Sequence, residues 1–179
     1  MDEQPESPCD PRLLSVKMVI TDVDGVLTDG SLIYADDGSE RKAFNVRDGA
    51  GIKYLLRSGI GVAFLSGRTC RAVGHRAKSL GVDVCVTGAK YKLPAYERIL
   101  ADAGLTDAEV CYIGDDLPDI PPMRSAGFSV AVADAAAEVR EVAAFVTRTC
   151  GGRGAVREVA ERILKAQGKW EGIMKRYLP

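Results

Sequence analysis

MVITDVDGVLTDG, residues Met18–Gly30, opens as an apolar, β-branched run and then places Asp22, Asp24 and Asp29 within eight residues. A continuous apolar run, as opposed to polar–apolar alternation, suits a strand covered on both faces of a parallel sheet. Carboxylates this close repel one another, and burying them is costly without compensation. A bound cation supplies that compensation. The stretch therefore predicts a core strand that emerges into an ion-binding edge. In an open parallel sheet ligands bind beyond the carboxyl ends of the strands, so the residues just past each further strand decide the rest.

Further strand candidates, after the one over 16–22, are 61–66, 82–86, 109–115, 128–132 and 144–147. Helical periodicity fills the intervals at 49–58, 69–80, 90–103, 118–126, 135–141 and 154–167. Alternation of strand and helix predicts an α/β fold, a doubly wound, Rossmann-like parallel sheet with right-handed crossovers. One segment breaks the rhythm. GSLIYADDGSERKAFNV (30–46) holds two short extended stretches around DDGS, a hairpin signal that predicts a small β-hairpin flap. The expected organisation is a disordered leader over 1–14, one domain over 15–170 and a C-terminal tail over 171–179. In the tail region, Trp170 reads equally as a packed anchor or a subunit contact.

Hydrophobic residues make up 46% of the 179, enough for a sizeable core. Lys and Arg (24) nearly balance Asp and Glu (25), and aromatics are few, which argues against nucleic acid and anionic membrane as partners. No apolar run is long enough to span a membrane. The N-terminus is acidic and Pro-rich, unlike a signal peptide. Cys9, Cys70, Cys85, Cys111 and Cys150 are scattered and odd in number, so neither a disulfide framework nor a zinc site is expected. Together these point to a reducing cytoplasm.

The polar residues gather at the strand ends. Asp22 and Asp24 come after the first strand, and Ser66, Gly67 and Arg68 after the second. Lys90 and Lys92 come after the third, and Asp115, Asp116 and Asp119 after the fourth. Each signal alone is weak, and Lys90 reads as a surface lysine. Four in this order at one sheet edge point to phosphoryl transfer onto a carboxylate. Clustered carboxylates with open water positions suit Mg²⁺. A hydroxyl, backbone N–H groups and an ammonium would hold the phosphate oxygens. Asp24, two residues after the nucleophile and so on its side of an extended chain, can protonate the leaving oxygen and then activate water.

DVDGVLTDG, LSGR, Lys92 and GDDLPD resemble the four motifs of the haloacid dehalogenase superfamily. KAFNVRDGAGIKYL, YIGDDLPD, SVAVADA and GGRGAVREV narrow the resemblance, over about Lys17 to Lys169, to the 3-deoxy-D-manno-octulosonate 8-phosphate (KDO-8-phosphate) phosphatases. The resemblance implies a Mg²⁺-dependent phosphatase of lipopolysaccharide precursor synthesis. In it Asp22 is nucleophile and metal ligand, Asp24 is acid/base with its carbonyl on the metal, and Asp115 is the third ligand. Asp116 and Asp119 orient those ligands and Lys92, while Ser66, Gly67 and Lys92 hold phosphate. Asp29, Gly30, Asn45, Arg47, Asp48, Arg68, Arg76 and Arg153 are the candidate substrate contacts. Arg47, Arg68 and Arg76 among them could meet the sugar acid's carboxylate. Phosphatases for nine-carbon sugar acid 9-phosphates are the alternative. Arg68 and Ser79 stand where that group is expected to carry an acidic residue and a lysine, which favours the eight-carbon substrate.

Many members of the superfamily insert a cap domain after the first or third motif. Here 41 residues separate Asp24 from Ser66 and 22 separate Lys92 from Asp115, and no cap fits. Water exclusion then calls for a neighbouring subunit. The resemblance implies a homotetramer, with Arg153 and Arg157, beside a flexible Gly151–Gly152, reaching a partner's site. Two rivals are a phospho-accepting receiver module and a non-catalytic scaffolding relative. Receivers place the acidic pair before the acceptor Asp and the Lys last, which this order contradicts. A scaffold has no need to keep every acid. His75, the only histidine, reads as a solvated or interface residue and not as a catalyst.

Overall fold

The computed structural model describes residues 10–178. Its main sheet contains β1 (Met18–Thr21), β4 (Gly61–Leu65), β5 (Val84–Val86), β6 (Val110–Gly114), β7 (Phe128–Ala131) and β8 (Phe145–Val146). Every pairing between them is parallel, in the order β5-β4-β1-β6-β7-β8. The helices between are α1 (Val46–Arg57), α2 (Arg71–Leu80), α3 (Lys92–Ala103), α4 (Ile120–Ser125), α5 (Ala137–Val142), α6 (Ala155–Ala166) and α7 (Trp170–Met174). Every residue of β1, β6 and β7 is buried, which is why these strands read as unbroken apolar runs. The doubly wound fold is as expected.

The chain winds outward from β1 through β4 to β5, then returns and winds the other way from β6. The order therefore reverses between β1 and β6, which lie side by side. A crevice opens at the carboxyl end of the sheet where successive connections leave in opposite directions.

The hairpin stands apart from this sheet. β2 (Ile33–Tyr34) and β3 (Glu40–Arg41) pair antiparallel, Ile33 with Arg41 and Tyr34 with Glu40. The Asp37 carboxylate accepts from the Ser39 amide at the turn. Between Asp24 and Ser66 the chain holds only this flap, α1 and β4. Between Lys92 and Asp115 it holds α3, a 3₁₀ turn and β6, so there is no cap domain.

Besides shifts of one or two residues at element ends, three differences from the sequence-based expectation stand out. Residues 1–9 of the expected leader, with Cys9, lie outside the described residues. Residues 10–14 are ordered: Pro11–Ser15 form a 3₁₀ turn capped by Asp10. Its Leu13 is fully buried, and Gln167 donates to the Leu13 and Val16 carbonyls at 2.9 and 2.8 Å. One apolar side chain and one amide fasten a segment whose polar composition hid it. Helix α1 starts at 46, not 49, because Asn45 accepts from the Arg47 amide and caps it. Gly49 and Gly51, poor helix formers, mask that start in the sequence. The expected helix 118–126 divides into a 3₁₀ turn, Leu117–Asp119, and the short α4.

The C-terminal segment folds back on its own chain. Trp170 meets Tyr54 edge to face at 6.0 Å, Tyr177 exchanges a hydrogen bond with Tyr54, and Ile173 is buried. Trp170 is thus a packed anchor here. Cys70, Cys85, Cys111 and Cys150 are free thiols.

Candidate active site

Asp22 is the first residue beyond β1 and Asp115 the first beyond β6, so the reversal of strand order sets both at one crevice. The Asp22 amide donates to the Ile113 carbonyl, which extends the β1–β6 ladder to the nucleophile candidate itself. Lys92, at the start of α3, comes in from the side of β5. Its ammonium lies 2.7 Å from both Asp22 Oδ1 and Asp119 Oδ1. Asp22, Lys92 and Asp119 are all buried. Burial alone would lower the Lys92 pKa, but the charges of Asp119 and Asp22 outweigh it and the pKa rises.

Asp119 holds this corner together. Its Oδ1 also accepts from the buried Tyr112 hydroxyl at 2.7 Å, and its Oδ2 accepts from the Asp115 and Asp116 amides at 3.2 and 3.3 Å. Carboxylate oxygens of Asp22, Asp115 and Asp119 lie within 4.8 Å of one another. Asp119 already has four partners, so it is poorly placed to give an oxygen to an ion. Its hydrogen bonds suit the orienting part. Asp116 is exposed and caps the following turn through Leu117 N.

Asp115 is different. Its Oδ1 is buried and has no hydrogen-bond partner. Burial, then the neighbouring charges of Asp22 and Asp119, push its pKa up to about 8. Burial, then Asp119, push Asp22 up to about 6 despite Lys92. Gly25, at φ +94°, permits this approach: a Cβ there would fall 2.0 Å from Asp115 Oδ2. Hard oxygen donors, surplus negative charge and an orphaned buried oxygen fit a divalent cation of the Mg²⁺ kind.

Ser66, buried just past β4, lies 3.5 Å through Oγ from Asp24 Oδ2 and accepts from the Arg68 amide. Gly67 follows it, exposed, in the same loop. Asp24 Oδ1 is taken by Lys42, from the flap. Sequence reasoning missed Lys42 and Glu40. Their signal was the i,i+2 spacing in ERKAF, which puts both on one side of an extended strand. In sequence this pair looks like any charged hairpin edge.

The substrate candidates separate. Arg47 is exposed in the first turn of α1, and Gly30, at φ +77°, is exposed at the entry to the flap. Arg68 is bound to Glu40 (2.7 Å) and Tyr34 (3.3 Å). Asp29 accepts from the Ser31 amide and pairs with Arg153 of its own chain at 3.2 Å. Three others are occupied inside the fold. Asp48 is buried and takes the Gly154 and Arg157 amides at the start of α6. Arg76 is bound to the Asn45 carbonyl and stacks over Phe44. Asn45 caps α1 and donates to the Gly152 carbonyl. All three side chains are engaged by partners within the fold.

The Gly151–Gly152 pair is not the flexible linker expected. Gly151 abuts the loop after β1 so closely that a Cβ would sit 1.6 Å from the Gly25 carbonyl oxygen. The Gly152 amide donates to Val26, and the Gly151 amide to the Asp134 carboxylate. Arg157 pairs with Glu161 and stacks on Tyr54 and Trp170 of its own chain. Lys90 is exposed beside the Tyr91 ring, and His75 is exposed.

Residues 87–158 match the haloacid dehalogenase-like hydrolase family. The chain is 48% identical to the 3-deoxy-D-manno-octulosonate 8-phosphate phosphatase of Yersinia pestis over 161 residues, 90% of this chain and 86% of that one. The chain belongs to the KDO-8-phosphate phosphatase family of haloacid dehalogenase-like hydrolases. A member from Moraxella catarrhalis, solved in complex with magnesium ion, phosphate ion and KDO, superposes at a TM-score of 0.91, with 40% identity and 93% and 96% of the two chains covered. The cobalt-bound family member from Haemophilus influenzae gives 0.86, with 46% identity over 88% and 92%. Membership makes the chain a phosphoric monoester hydrolase. The described residues contain no helix long and apolar enough to cross a membrane.

Proposed function

We propose that the chain hydrolyses KDO-8-phosphate to the free sugar acid and phosphate, in the making of a lipopolysaccharide precursor, with Mg²⁺ as cofactor. The observation that carries the reading is the convergence of Asp22, Lys92 and Asp115 at the reversal point of the sheet, with Asp24 beside them, in a member of this family. Asp22, Asp115 and the Asp24 carbonyl would hold the ion. When bound, it offsets carboxylate repulsion and draws charge from the phosphoryl group.

The chain's own groups divide the remaining work. Ser66 Oγ, the Gly67 amide and the Lys92 ammonium bind the phosphate oxygens. An Asp22 oxygen attacks phosphorus as the ester P–O bond breaks, and the bonding pair goes to the sugar oxygen, which takes a proton from Asp24. Water then gives a proton to Asp24 while its oxygen attacks the aspartyl phosphate. The P–O bond to Asp22 breaks, phosphate leaves and both carboxyls are restored. Asp119 and Asp116 orient the set. Arg47, Arg68, Asp29, Gly30 and Arg153 remain for the sugar acid, with Asn45, Asp48 and Arg76 engaged within the fold.

As part of this reading the enzyme works in the cytoplasm as a homotetramer in which neighbours close the capless sites. The exposed Leu32, Ile33 and Tyr34 of the flap support that part. Light scattering on the purified protein tests it, and a monomer would refute it. The activity is tested by phosphate release, with Mg²⁺, from KDO-8-phosphate, a nine-carbon sugar acid 9-phosphate, hexose phosphates and nucleotides. Preference for the first supports the reading and equal rates refute it. Asp22→Asn should keep the fold and abolish turnover.

A further inference from the structure

Lys42 follows β3, two residues after Glu40. Its side chain is only 1% exposed, although its backbone leaves the residue part-buried. Its directional hydrogen bond goes to Asp24 Oδ1. Glu40 Oε1 stands 2.7 Å from the same ammonium but off a hydrogen-bond line, while Glu40 Oε2 pairs with Arg68 at 2.7 Å. One ionic chain therefore crosses the flap, from the loop after β1 to the loop after β4.

The flap has few other ties. β2 and β3 share two residue pairs, and Leu32, Ile33 and Tyr34 are exposed. A buried ammonium between two carboxylates fixes them as much as they fix it. An aspartate has two free torsions, and anchoring Oδ1 sets both. The other oxygen, Oδ2, then points to Ser66 Oγ, the phosphate side of the crevice.

We infer that Lys42 is a positioning residue for the reaction: from the flap it fixes the Asp24 carboxylate in the orientation that serves both proton transfers, so that flap and crevice act as one unit. Glu40 seats Lys42 and ties the pair to Arg68. The inference rests on the reading of Asp24 as the group that moves the proton.

The test compares Lys42→Met and Lys42→Arg with the wild type, each with Mg²⁺, on two substrates. p-Nitrophenyl phosphate has a leaving group that departs without a proton donor, whereas a sugar phosphate does not. Lys42→Met should lower kcat on KDO-8-phosphate about 100-fold, within the contribution of a placed acid–base group, with KM within about twofold. On p-nitrophenyl phosphate it should give a burst of about one nitrophenolate per site, then slow turnover, because only hydrolysis of the aspartyl phosphate still needs Asp24 in place. Lys42→Arg should restore kcat to within about fivefold.

A kcat within about threefold of wild type overturns the inference. So does a large rise in KM at unchanged kcat, which would make Lys42 a substrate ligand. Slow turnover without a burst also overturns it, leaving Lys42 a mere strap of the flap. If Lys42→Met does not fold, Lys42→Gln carries the same readouts. A wild type that cleaves p-nitrophenyl phosphate but not KDO-8-phosphate refutes the proposed substrate while the burst still decides the role of Lys42.

Discussion

Asp115→Asn should make the metal-free protein more stable at high pH, although it removes a residue the site needs. Asp115 has a buried oxygen without a partner beside two other acids. Raising a carboxyl from 3.8 to about 8 means that ionising it in place costs roughly 5–6 kcal/mol. Asp115 is only half-buried and the repulsion is shared with Asp22, so about 2 kcal/mol is the reasonable effect. A carboxyl whose folded pKa exceeds its unfolded one binds more protons when folded. Its contribution is fully present below about 4 and is lost as pH rises through about 6 for Asp22 and about 8 for Asp115. Thermal melts in EDTA at pH 5 and pH 9 read this. The variant should melt about 4–8 °C above wild type at pH 9, at a few degrees per kcal/mol for a chain this size, and no more than a degree or two above it at pH 5. Mg²⁺ should raise the wild-type melting temperature at pH 9 and leave the variant nearly unmoved. Equal melting of the two at pH 9, or an equal Mg²⁺ response, would refute the picture of a carboxylate cluster awaiting a cation.

Lys92→Met should cost about 3–5 kcal/mol in urea unfolding at pH 8, because Asp22 and Asp119 lose their buried counter-charge, and less at pH 5 where Asp22 protonates. A pH-independent loss would point to packing instead. Asp48→Ala should lower stability by about 2–3 kcal/mol, since it strands the Gly154 and Arg157 amides at the start of α6. KM should stay within about twofold; a tenfold rise would return Asp48 to the substrate. Leu13→Ala should cost about 3 kcal/mol in the same assay if the 3₁₀ turn before β1 belongs to the core, and a neutral result would restore the leader as a dispensable segment.

The doubly wound sheet and the heart of the site were legible for one reason. A strand buried on both faces must be apolar along its length, so β1, β4 and β6 announce themselves. Parallel strands then carry the residues just beyond them to a common edge, which is how Asp22, Ser66 and Asp115 could be assembled without coordinates. Lys92 was legible by the same rule, one strand further out. The boundaries were less so. Asn45 as a cap and Leu13 as a buried anchor are single side chains acting against the composition around them.

The sequence by itself therefore determined the doubly wound parallel sheet, the missing cap and the acids at its carboxyl end, since local periodicity and residue spacing dictate these, while the order of the strands came from the tertiary structure. Only the tertiary structure decided which charged residues turn inward. Lys42 and Arg68 reach across the flap, while Asp48 and Arg76 are engaged by partners within the fold. Arg157 settles under Trp170, and Arg153 pairs with Asp29. Their partners lie from 13 to 124 residues away along the chain, as for Arg157 with Trp170 and Arg153 with Asp29. A charged side chain is free in sequence to face water or a partner, and that choice is made by the groups that folding brings beside it.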